Sequence, residues 1–196
     1  MHLSYEKLIA QIDIGTFLKR LSAIYSSMDQ EYSEAAAYYG FTCTGCEDNC
    51  CLTRFYHHTV LEYLYILKAF NHLAPEKQIK IKARALKVRQ KSIEASGKGT
   101  RLRQMCPLNS DGKCILYSCR PMICRLHGIP HELHNPGSDI TYGPGCEAFS
   151  KQFGAKDYHR FDRTPFYIKM ASLERDLKQA AGITTKIKMT IADMLV

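Results

Sequence analysis

Nowhere in its 196 residues does the chain carry an uninterrupted apolar run of membrane length, and its opening residues lack the charged-then-apolar pattern of a secretory signal. Those absences predict a cytoplasmic protein with no membrane span. Repeats, low-complexity tracts and a long linker are also missing, so a single domain over 1–196 is the expected organisation. A Ser-His-Asp set, a phosphate-binding glycine loop and a dinucleotide fingerprint all lack their required spacing. Asp162 and Glu174 stand as isolated carboxylates, and no reaction is assigned.

Acid is scarce in one place. Between Lys77 and Arg103 there are ten Lys or Arg residues and one acid, Glu94. Lys80, Arg84, Lys87 and Lys91 fall on one helical face, predicting a positive surface for an acidic protein partner or, at its blandest, a solvated helix face. The absence of an aromatic-interleaved motif argues against nucleic acid. The whole chain has 27 Lys plus Arg against 19 Asp plus Glu, a formal charge of +8. Thiolates gathered on metal would offset part of that charge, because metal ligands are deprotonated.

Cysteine is what the chain does have. Of nine cysteines, four stand within "CTGCEDNCC": Cys43, Cys46, Cys50 and Cys51. A chain of this length buries most of its apolar surface without covalent help, and a reducing compartment favours metal or redox chemistry over bridging. Cys43 and Cys46 form a CxxC pair that converges on one ion from a tight turn. Neighbouring side chains in extended backbone point to opposite sides, so Cys50 and Cys51 do not readily share one tetrahedral ion. Five more cysteines lie in residues 101–149: Cys106, Cys114, Cys119, Cys124 and Cys146. Closely spaced Pro and Gly keep regular structure short there, which calls for an internal organiser.

The rest reads as helix. Ile14, Leu18, Leu21, Tyr25, Met28, Tyr32, Ala35 and Tyr39 recur at steps of three and four, with Asp13 to cap and Gly40 to end a long N-terminal helix over 14–40. Thr59 and Glu62 have capping-box spacing ahead of a helix to about Leu73, and Pro75 opens another to about Ser96. Thr164 and Pro165 start a C-terminal helix closed by Gly182, and the tail "IKMTIADMLV" forms a last one within 164–196. The expected fold is mainly α: a small helical domain with a loop-rich cysteine core in 41–149.

The ordered set Cys43, Cys46, Cys50, Cys51, Cys106, Pro107, Gly112, Cys114, Tyr117, Arg120, Pro121, Cys124, Arg125 and Cys146 resembles the YkgJ-like cysteine-cluster family, described as a zinc- or iron-chelating domain. The resemblance covers about residues 41 to 149 and implies metal or iron-sulfur binding. Cysteine segments of this kind also occur in proteins regarded as flagellin lysine methylases, although no glycine-rich methyl-donor motif is present here. Cys119 departs from the family pattern and is read as packed rather than ligating. Zinc modules commonly use two CxxC knuckles where this chain has one, and Cys106–Pro107 echoes the Cys-Pro of cluster-binding runs; both tilt the choice toward an iron-sulfur cluster over zinc.

Arg120 and Arg125 are candidates to donate to ligand sulfurs and tune potential, with a surface salt bridge as the alternative. His127, His131 and His134 follow Cys124 closely, but Gly128 and Pro130 argue against their sharing a helix, and His57 and His58 are expected to contact solvent. The functions that follow are electron transfer or redox sensing, a metal-stabilised interaction module, or a metal-dependent protein-modifying enzyme.

Overall fold

The computed structural model describes residues 12–43, 50–97, 99, 103–135 and 137–196. The fold is mainly α. In chain order the elements are α1 (Ile14–Tyr39), α2 (Val60–Asn71), α3 (Pro75–Gly97), β1 (Asn109–Ser110), β2 (Lys113–Cys114), α4 (Met122–Arg125), β3 (His131–His134), β4 (Ile140–Gly143), α5 (Glu147–Phe153), α6 (Thr164–Ala180) and α7 (Ile191–Met194). Single 3-10 turns occupy Cys50–Leu52 and Tyr117–Cys119. Among the described residues no helix is long and apolar enough to cross a membrane.

The chain forms two compact units, each assembled from separated stretches: residues 12–43 with 124–185, and residues 50–123 with 186–196. In the first, α1 begins where Asp13 accepts from the backbone and hydroxyl of Thr16 at 3.4 and 2.6 Å. It ends at Gly40, whose φ of 72° is open to a residue without Cβ. The apolar stripe is buried as its spacing requires, from Leu18 and Leu21 to Met28 and Tyr39. It packs against α6, which buries Phe166, Met170, Leu173 and Leu177. Tyr39, Phe41, Phe149 and Phe153 meet edge-on, fixing α5 against the end of α1. The β3–β4 hairpin joins the segment before α6 through Glu132 and Asp162.

In the second unit, Thr59 caps α2 by accepting from the Glu62 N–H at 3.3 Å, and its hydroxyl donates back to the Glu62 carboxylate at 2.7 Å. The other Glu62 oxygen accepts the Met122 N–H at 2.8 Å, so a buried carboxylate ties α2 to the start of α4. Pro75 opens α3 at the position where a missing N–H costs nothing. Ile81, Ala85 and Ala95 form the buried face of α3, against which α7 sets Ile191, Ala192 and Met194. A two-bond bridge between His57 and Met189, at 2.8 and 3.0 Å, fastens the tail beneath α2.

Candidate metal centre

The second unit brings Cys50 and Cys51 of the first cysteine group beside Cys106 and Cys114 of the second. Cys106 donates its N–H to the Cys51 carbonyl at 2.8 Å, joining segments that are far apart in the chain. From Cys106 the backbone turns, with Asn109 N–H on the Cys106 carbonyl at 3.0 Å, into the β1–β2 hairpin that pairs Asn109 with Cys114. The two-residue loop is Asp111–Gly112 with φ of 53° and 80°, the left-handed pair that a twisted hairpin needs. Asn109 Oδ1 accepts the Gly112 N–H at 3.2 Å and closes it.

Cys50 and Cys51 sit in a 3-10 turn, not in extended backbone. The premise that they face apart therefore fails: the Cys50 thiol donates to the Cys51 sulfur, and this bond, with help from Asn109 and Arg120, lowers the Cys51 pKa to about 6. Burial pushes the Cys106 thiol up to about 12, and the charges of Cys51 and Cys114 add to the rise. Burial likewise raises Cys114, with Cys51 and Cys119 contributing. The backbone N–H groups of Leu108 and Leu116 act in the opposite sense on Cys106 and Cys114. Each of these two sulfurs thus receives the N–H two residues further on, a repeated loop geometry suited to holding thiolate charge.

Sulfurs that oppose one another's ionisation form a donor set that a cation relieves, because one divalent charge lowers all of their pKa values together. Soft thiolates of this kind fit zinc or an iron-sulfur cluster. Among the described residues no three sulfurs lie mutually within 4.8 Å, so the thiols are gathered as neighbours and not yet closed into a tetrahedron. Cys46 lies outside the described residues.

Arg120 belongs to this environment. It lowers the pKa of both Cys51 and Cys114, while its Nε donates to the Tyr117 carbonyl at 3.0 Å and its guanidinium lies over the Tyr117 ring at 3.6 Å. Arg84 also reaches it, donating to the Asn109 carbonyl at 2.8 Å and lowering Cys106. Its half-buried position removes it from the positive surface on which sequence spacing placed it. Cys119, read as a bystander, lies close enough to Cys114 to raise its pKa.

The other unit holds Cys43, Cys124 and Cys146. Cys146 caps α5, its sulfur accepting the Phe149 N–H at 3.4 Å. Arg125 is buried, stacked over Tyr25 at 4.1 Å and paired at 2.5 Å to Asp29, whose side chain is half exposed, so the salt bridge runs from the interior to the surface.

The histidines divide. His131 and His134 lie in β3, not on a helix. Burial lowers His131 to about 4 and also lowers His127, with the Arg163 charge adding to both. His58 is exposed as expected, but His57 is buried, and burial lowers its pKa to about 4. Asp162 is not isolated, because Glu132, His134 and Asp162 place ligand atoms mutually within 4.8 Å. They already hold one another and their neighbours: Glu132 accepts from Arg160 at 2.7 Å and meets His134 Nε2 at 2.9 Å, while Asp162 takes the Thr164 N–H at 2.8 Å. With Arg160 on Glu132, this group is an ion-pair network that ties β3 to the segment before α6. Spacing gave no hint of it, because its members come from two segments.

No protein-family model, curated protein or solved structure matches the chain.

Proposed function

We propose that the chain is a cytoplasmic metal protein whose second unit holds zinc or an iron-sulfur cluster through Cys50, Cys51, Cys106 and Cys114, in the manner the YkgJ-like pattern implies. The Cys106 N–H on the Cys51 carbonyl carries this reading, since it joins cysteines from two distant segments of the chain. On the same pattern, Cys43, Cys46, Cys124 and Cys146 are further metal donors. A cluster would supply one-electron chemistry, suiting electron transfer or redox sensing, whereas zinc would act structurally. Arg120 tunes the site in either case by placing positive charge beside two of the sulfurs.

The test is iron, zinc and sulfide analysis of the full chain purified without oxygen. Stoichiometric metal that falls in Cys51→Ser and Cys106→Ser, and much less in Cys119→Ser, is the expected result. Wild-type protein that takes up neither zinc nor iron would overturn the reading.

A further inference from the structure

The outward face of α3 carries an ordered pattern that the thiolate site does not use. Ile79, Leu86 and Ile93 are 68%, 56% and 60% exposed, on the side of the helix turned away from the buried Ile81 and Ala85. They recur every seven residues. Two basic rows flank them with the same period, Lys80 with Lys87 on one side and Lys82 with Arg89 on the other. The whole helix carries seven Lys or Arg against two Glu. Arg89 is partly committed to Asp193 at 3.5 Å, which leaves the three lysines as the main cations beside the apolar row.

We propose that this face docks an acidic amphipathic helix of another protein, whose apolar row lies along Ile79, Leu86 and Ile93 and whose carboxylates meet Lys80, Lys82 and Lys87. A seven-residue step rises about 10.5 Å along a helix, and a second helix running alongside repeats its own side chains at that interval. A docked strand repeats every ~7 Å and would fall out of register. Charge selects the partner's sign. A second copy of this face would set basic rows against basic rows, which excludes self-pairing through α3. The apolar row is one residue wide between lysines, too narrow for the broad face that a helix lying in a lipid interface presents. Glu94 interrupts the Lys80–Lys87 row and receives Gln90 at 2.8 Å, so the partner residue opposite it should not be acidic. This inference rests on α3 alone and is independent of which metal the thiols hold.

The probe is a synthetic helical peptide about three heptads long, with leucine once per heptad, glutamate on both flanks and alanine elsewhere. Its binding to the full chain is read by fluorescence anisotropy, and far-UV circular dichroism confirms that each variant is folded. Binding should weaken about tenfold between ~0.05 and ~0.3 M NaCl. The pair Leu86→Ser with Ile93→Ser should weaken it about tenfold at either salt concentration. Lys80→Glu with Lys87→Glu should weaken it by a similar factor, abolish the salt dependence and favour the peptide with lysine in place of glutamate. Binding unchanged in both folded variants, equal binding of a scrambled peptide, or no binding at ~1 mM would overturn the proposal. So would capture of the chain by phosphatidylserine vesicles, lost in the same variants, in place of peptide binding.

Discussion

His57 is where a single residue sets a pH response. It is buried at the bridge to Met189, and its Nε2 finds no hydrogen-bond partner among the described residues. Charging it would place a cation in an apolar surround, which is why its pKa falls from an ordinary 6.5 to about 4. Below 6.5 the unfolded chain binds the proton that the folded chain refuses. The stability linked to neutral His57 is therefore complete above pH 6.5 and is lost as pH falls toward 4, by on the order of 2–3 kcal/mol. In His57→Leu this contribution disappears. Urea melts of the wild type and variant should differ in their pH slopes between 4 and 6.5, the variant being flatter; parallel slopes would show that His57 is already accessible to protons. The sequence offered no sign of this burial, since a His-His pair ahead of a helix cap reads as exposed. The tail returns from Lys186 onward to bridge His57 at Met189.

At the scale of elements, the helices were legible because their signals are local. Asp13, Gly40, Thr59 and Pro75 act within one turn of themselves, and α1, α2 and α3 start and stop within about two residues of where those signals place them. The hairpin was legible in principle, since Asp-Gly between short segments is a strong turn signal. The 3-10 turn at Cys50–Leu52 was not, because nothing in a Cys-Cys pair distinguishes it from extended backbone. The hairpin yields a sharp prediction. A Cβ at Gly112 would meet no atom within 4 Å, so Gly112→Ala adds no clash and its cost is conformational, about 1–2 kcal/mol for a left-handed residue. Gly112→Asn should cost less, because asparagine tolerates that region. Since the turn positions Cys114 opposite Asn109, metal content should fall in the order wild type, Asn, Ala, alongside the melting temperature. Alanine at full metal content and unchanged melting temperature would separate the turn from the site.

At the scale of the molecule, sequence neighbours fall in different units. Cys43 belongs with residues 124–185, whereas Cys50 and Cys51 belong with the hairpin and the C-terminal tail. Spacing could not reveal this, since assignment to a unit depends on packing among distant segments. The last eleven residues belong to the second unit. Residues 186–196 supply the Met189 bridge, the Thr190–Asp193 capping box and the buried Ile191, Met194 and Leu195. Each such side chain is worth about 1.5–3 kcal/mol on burial, so their joint loss approaches the 5–15 kcal/mol that stabilises a whole domain. Ending the chain at Thr185 should therefore expose the inner face of α3 and unfold the second unit, and with it abolish the metal uptake proposed for that unit. Packing of α1 on α6 draws on none of these residues. Hydrogen exchange should show protection lost across residues 60–71 and 75–97 and retained across 14–39 and 164–180. Uniform loss across both sets would mean that the two units unfold as one, and uniform retention would mean that the tail is dispensable.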